Sequence, residues 1–77
     1  MIDRLDMSFN EIAILDTTNN SISVLVASGS CNIVRDNSVI ATLGQYESYT
    51  LPINTGIYTL VSTADNTKAF LFRLFIY

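Results

Sequence analysis

The chain has 77 residues, 49% of them hydrophobic and only 14% charged, with a net charge of −3, one cysteine and no histidine. A chain this short is one domain that buries only about 60% of the surface its unfolded form exposes. Cys31 has no partner for an internal disulfide and there is no Cys/His set for zinc, so association with other chains is the remaining route to added stability. Arg4, Arg35, Lys68 and Arg73 are scattered, which excludes the cation cluster that nucleic-acid phosphates need.

The N-terminal stretch carries Asp3 and Asp6 and lacks the continuous apolar core of a signal peptide. The longest apolar tract, Phe70 to Tyr77, is broken by Arg73 and is too short to span a bilayer. These features predict synthesis in the cytoplasm, without a leader or a transmembrane segment. Ser, Thr and Asn take over the surface role that charges usually fill, which suits a chain packed into an assembly.

In chain order, residues 1–10 read as an N-terminal arm or a short helix, because Ile2, Leu5 and Phe9 fall at near-helical spacing. Residues 11–77 read as a β-sandwich domain. Ser8 to Leu15 turns strand-like, and Asp16-Thr17-Thr18-Asn19-Asn20 is a turn by composition. Ser21 to Ala27 alternates with period two, the mark of a strand. Cys31 to Val34 and Val39 to Leu43 form two more strands, joined by Asp36-Asn37, residue types that tolerate the positive φ of a tight hairpin. Tyr46 to Leu51 is a strand stopped by Pro52. Ile57 to Thr63 and Lys68 to Tyr77 follow, separated by Ala64-Asp65-Asn66-Thr67. Seven to eight short antiparallel strands at this spacing predict an all-β sandwich or barrel.

Leu51 to Leu60 resembles the E–F corner of immunoglobulin-like sandwiches, with Gly56 and Tyr58 matching its Gly-x-Tyr step. Ile33 to Ile40 is similar to the C–C′ hairpin of the same class. The resemblance covers residues 21–77 and implies a compact immunoglobulin-like sandwich with Tyr58 as a buried corner residue whose hydroxyl bonds to backbone. Leu60 stands where antibody-type domains have their second cysteine, and there is no tryptophan. In style the chain resembles small phage virion accessory proteins, such as capsid decoration proteins. That resemblance implies a virion location and a protein partner: many copies of a larger capsid-type protein, or copies of itself.

No residue set points to catalysis, and none to a cofactor or metal. Histidine, the commonest acid–base group, is absent. Lys68 reads as a solvated residue opening a strand, and Glu11 and Glu47 have little room between them for a substrate cleft. Cys31 has no neighbouring cation to activate it. Asp36-Asn37 and Asp65-Asn66 are turns, short of the spaced carboxylates of a calcium loop. Tyr46 and Tyr49 differ by three residues, so on one strand they take opposite faces and form no sugar-stacking platform.

The last strand is apolar on both faces: Phe70, Phe72, Leu74 and Ile76 on one, Leu71, Arg73, Phe75 and Tyr77 on the other. A sandwich strand needs one apolar face, so the second set is expected to lie in a subunit interface, with Arg73 at its rim or paired with an acidic residue of the partner. The alternative is that Leu5, Met7 or Phe9 covers this set from within the chain. The functional expectation is a non-enzymatic structural component; the alternative class is a small carbohydrate- or peptide-binding module.

Overall fold

The structure, a computed structural model, describes residues 1–75. Eight strands account for its regular structure: β1 Ile2–Met7, β2 Ile12–Asp16, β3 Asn20–Ser28, β4 Cys31–Arg35, β5 Ser38–Leu43, β6 Ser48–Leu51, β7 Ile57–Ser62 and β8 Thr67–Phe75. They form two four-stranded antiparallel sheets, ordered β1-β8-β3-β6 and β2-β7-β4-β5. The chain is an all-β sandwich.

Alternation explains the layers. In β3, Asn20, Ile22, Val24 and Val26 are buried while the residues between them are half-exposed. β4 and β7 repeat the pattern with Cys31 and Ile33, and with Tyr58, Leu60 and Ser62. Leu15, Ile22, Val24, Val26, Ile33, Leu51 and Leu60 have no solvent exposure at all, and each such side chain contributes roughly 1.5–3 kcal/mol.

The order of strands differs from the immunoglobulin arrangement that the local signals suggest. β1 pairs with β8, β2 with β7, β3 with β6 and β4 with β5. The chain is thus one long hairpin, folded at β4–β5 and rolled so that β8 also meets β3 and β7 also meets β4. This is the jelly-roll order, whereas immunoglobulin strands group as ABED and CFG. The β4–β5 hairpin itself matches expectation, with Asp36 and Asn37 at φ 51° and 63°. Turns and alternation are local and shared by both classes; the sheet that each strand joins is decided by pairings such as Ile2 with Phe72.

Residues 1–10 are neither a free arm nor a helix. Ile2–Met7 is an edge strand on β8, with the Arg73 amide donating to the Met1 carbonyl at 2.9 Å. Leu5 and Met7 face inward and join the core, so burial with period two overrides the near-helical spacing of Ile2, Leu5 and Phe9. β6 begins two residues later than Tyr46, because Gly44–Glu47 is a tight turn with Tyr46 at φ 66°. The turn is held by the Tyr46 amide on the Val26 carbonyl and the Val26 amide on the Glu47 carbonyl.

Candidate interaction surface

The residues singled out on β8 fall differently from expectation. Leu71 is buried beside Ala69 in the core, together with Leu5 and Met7 of the N-terminal segment. The outward face carries Lys68, Phe70, Phe72 and Leu74 instead. Lys68 and Arg73 lie on opposite faces of the strand, so one cation has to point inward, and Arg73 is the one that manages it. It sits near the end of the strand, where its Nε reaches Asp3 Oδ2 at 3.0 Å. Its partner is within the chain. Phe75 shares the inward side and stays part-exposed at the rim, opposite Asn20. Tyr77 lies outside the described residues.

Gly56 and Tyr58 do mark a corner, but Tyr58 is not its centre. The Tyr58 ring is buried, and its hydroxyl meets Thr55 Oγ1 at 2.8 Å and Arg35 Nη1 at 2.9 Å rather than backbone. The Arg35 guanidinium lies over the same ring, 5.0 Å from its centroid, a cation–π contact. The centre is Thr17, which is fully buried. Its hydroxyl donates to the Gly56 carbonyl at 2.7 Å and accepts from the Gly56 and Thr55 amides at 3.0 and 3.1 Å. Its own carbonyl accepts from Asn54 N at 2.8 Å. One side chain thereby ties the β2–β3 turn to the β6–β7 loop. Composition alone made Thr17 a turn residue, and a threonine in a polar run gives no sequence signal of this role.

The chemistry-bearing residues are occupied by structure. Glu11 Oε1 accepts from Ser8 N and Glu47 Oε1 from Gly44 N, so each carboxylate caps its own turn. Cys31 is fully buried, and burial pushes its thiol above the ordinary 9.0. Asp16 is held below its ordinary 3.8 by hydrogen bonds from the Thr18 amide and hydroxyl, with Arg73 adding a smaller pull. A shallow depression of about 160 Å³ lies between Asp6, Met7, Ser8, Asn66, Thr67 and Lys68. Among the described residues there is no group of three or more His, Cys, Asp or Glu able to hold a metal, and no helix long and apolar enough to cross a membrane.

The feature that remains is the outer face of the β2-β7-β4-β5 sheet. Register aligns its outward residues in rows: Ile12, Val61, Asn32 and Thr42, then Ile14, Thr59, Val34 and Val39. Ile57 continues the face next to Asp16, and Ile40 bulges from β5 where the register shifts. Exposure is 63% for Ile12, 59% for Ile14, 59% for Ile57, 55% for Val39 and 41% for Ile40. Among the strand residues the single charge on the outward side is Asp16, at the corner, with its carboxylate turned back onto Thr18, while Asp36 stands exposed in the turn beyond β4. Thr42 Oγ1 donates to Asn32 Oδ1 at 2.8 Å, so the polar pair on the face is already joined. The other sheet differs: its outer face mixes Ile2, Phe70, Phe72 and Leu74 with Arg4, Asp6 and Lys68. No protein-family model, curated protein or solved structure matches the chain, so the functional argument stands on this geometry.

Proposed function

We propose that this chain is a non-enzymatic structural component that takes its place in a larger protein assembly through the outer face of the β2-β7-β4-β5 sheet. The observation that carries the reading is the row of exposed Ile and Val side chains on a face whose one charge sits at a corner. Leaving five such side chains in water forgoes several kcal/mol, at roughly 1.5–3 kcal/mol for each one fully buried. Contiguous exposed apolar surface of this kind marks an interaction site. A particle of repeated subunits, such as a virion, is the setting that fits best, with this chain as an accessory protein present in many copies.

The jelly-roll order serves capsid and lectin domains alike, and fold alone does not choose between them. The carbohydrate-binding alternative draws less support. Tyr46 projects from a turn while Tyr49 belongs to edge strand β6 and pairs with buried Val24, so the two rings stand on different elements.

The test is size fractionation of the chain expressed from its native genome. The wild type is expected with particles far larger than itself. The Ile14→Lys/Val39→Lys variant is expected in the smallest fraction, with an unchanged thermal midpoint when purified. A wild type that runs only as a free small protein overturns the reading.

A further inference from the structure

Resting on that reading, we infer that the occupant of the β2-β7-β4-β5 face is a second copy of this chain, packed sheet against sheet about a two-fold axis. The first argument is charge. Each copy carries −3 overall, and contact through the other sheet would bury Arg4, Asp6 and Lys68. On this face two like-charged molecules meet with one carboxylate each near the contact, Asp16, at the corner and already bonded to Thr18. A face with one corner charge has little with which to select a partner of opposite sign, while its apolar rows complement themselves.

The second argument is shape. Outward residues in register across four strands form the same pleated, β-branched surface that sheets inside a sandwich use to pack about 10 Å apart at roughly −30°. Two copies would extend the layering from two sheets to four. A two-fold contact is self-complementary by construction, and here it sets Thr59 and Val34 near its centre, with the joined Asn32–Thr42 pair at its rim. The bulge at Ile40 disrupts the free edge of β5, and bulged edges resist strand-to-strand addition. Strand addition at the β5 edge is thereby disfavoured.

The third argument is area, and it fixes the strength. Four strands about 4.8 Å apart and five residues at about 3.3 Å each give a projection on the order of 300 Å². Side-chain relief enlarges this, but a standard interface takes roughly 800 Å² from each partner. The pair is therefore weak and reversible, below the size of a standard interface. Such a contact is decisive only where copies are concentrated on a common scaffold.

Sedimentation velocity on the purified chain over a wide concentration range tests this. The wild type is expected to move from monomer to dimer, with no weakening when salt is raised, since no ion pair spans the contact. Ile14→Lys/Val39→Lys is expected to stay monomeric at every concentration, and the control Phe72→Lys/Leu74→Lys, on the other sheet, to dimerise as the wild type does. Methyl NMR on diluting the wild type needs no variant: shifts are expected for Ile12, Ile14 and Ile57 and not for Ile2. A wild type that is monomeric throughout overturns the inference, as does a dimer abolished by the control pair and not by the test pair. If the purified chain is monomeric yet the native chain still runs with large particles, the second copy is wrong and the assembly reading stands.

Discussion

Replacing Thr17 by Val and by Ser separates two accounts of the corner between β2 and the β6–β7 loop. Val keeps the shape and the β-branched backbone preference but removes the hydroxyl. That leaves the Thr55 and Gly56 amides without the acceptor they now have at 3.1 and 3.0 Å. The Gly56 carbonyl keeps one donor, the Thr17 amide at 3.1 Å. An orphaned buried donor costs about 1–3 kcal/mol; because Gly56 lies at the surface, the low end applies and the total is about 2–4 kcal/mol. Ser keeps the hydroxyl and loses one methyl, at about 0.8 kcal/mol. For a domain of this size each kcal/mol moves the midpoint by about 4–8 °C, so Val should lower it by about 8–30 °C and Ser by about 3–6 °C. Thermal unfolding followed by circular dichroism reads both. If Ser proves as damaging as Val, the methyl packing matters and the hydroxyl network does not, and the reasoning fails.

Tyr46→Asn should stabilise the fold by up to about 1 kcal/mol, because a left-handed backbone costs most side chains about 1–2 kcal/mol and this ring, 77% exposed, gives up little burial; a lower midpoint would refute the strain argument. Gly29→Ala should destabilise by more than about 2 kcal/mol or prevent folding, since its new methyl would stand 2.8 Å from the Thr67 Cα at φ 78°, where backbone has no room to yield; wild-type stability in thermal melts would show that this approach is not tight. Asp16 has its carboxyl below 3.8 when folded, so its contribution is complete above that pH and is lost as pH falls through the lowered value. Asp16→Asn should accordingly flatten part of the acid limb of the stability profile, and an unchanged limb counts against it. Cys31, raised above 9.0 by burial, should resist thiol reagents in the folded state, and stability should fall above about pH 9 as the unfolded thiol ionises; rapid native labelling would show that the site is open.

What was legible in the sequence was whatever is local. The period-two runs of β3, β4 and β7, the Asp36-Asn37 turn and the stop at Pro52 all appear near their expected places. The rolled order was not legible, because pairing β1 with β8 depends on residues at opposite ends of the chain. The inward face of β8 is not legible in the sequence for a specific reason: hydrophobicity is nearly equal on both sides, so only the placement of two cations distinguishes them, and Asp3 becomes a partner for Arg73 only with β1 in place. The apolar sheet face is hidden from the sequence in the same way. Ile12 and Ile14, Ile57, and Val39 belong to three separate strands, each unremarkable alone, and register alone brings them together.

The rolled hairpin also sets a timetable. β8, the last of the described strands to be synthesised, lies inside its sheet, between β1 and β3. Until it emerges from the ribosome, β1 has no neighbour and β3 has only the four-residue β6 beside it. The long edge of the nine-residue β3 that β8 occupies stays unpaired until then. Pairing that waits on distant strands is slow and leaves β-prone segments free to join other chains. The yield of folded protein should therefore depend on how quickly β8 is released, with slow translation through Thr67–Phe75 diverting nascent chains into aggregates.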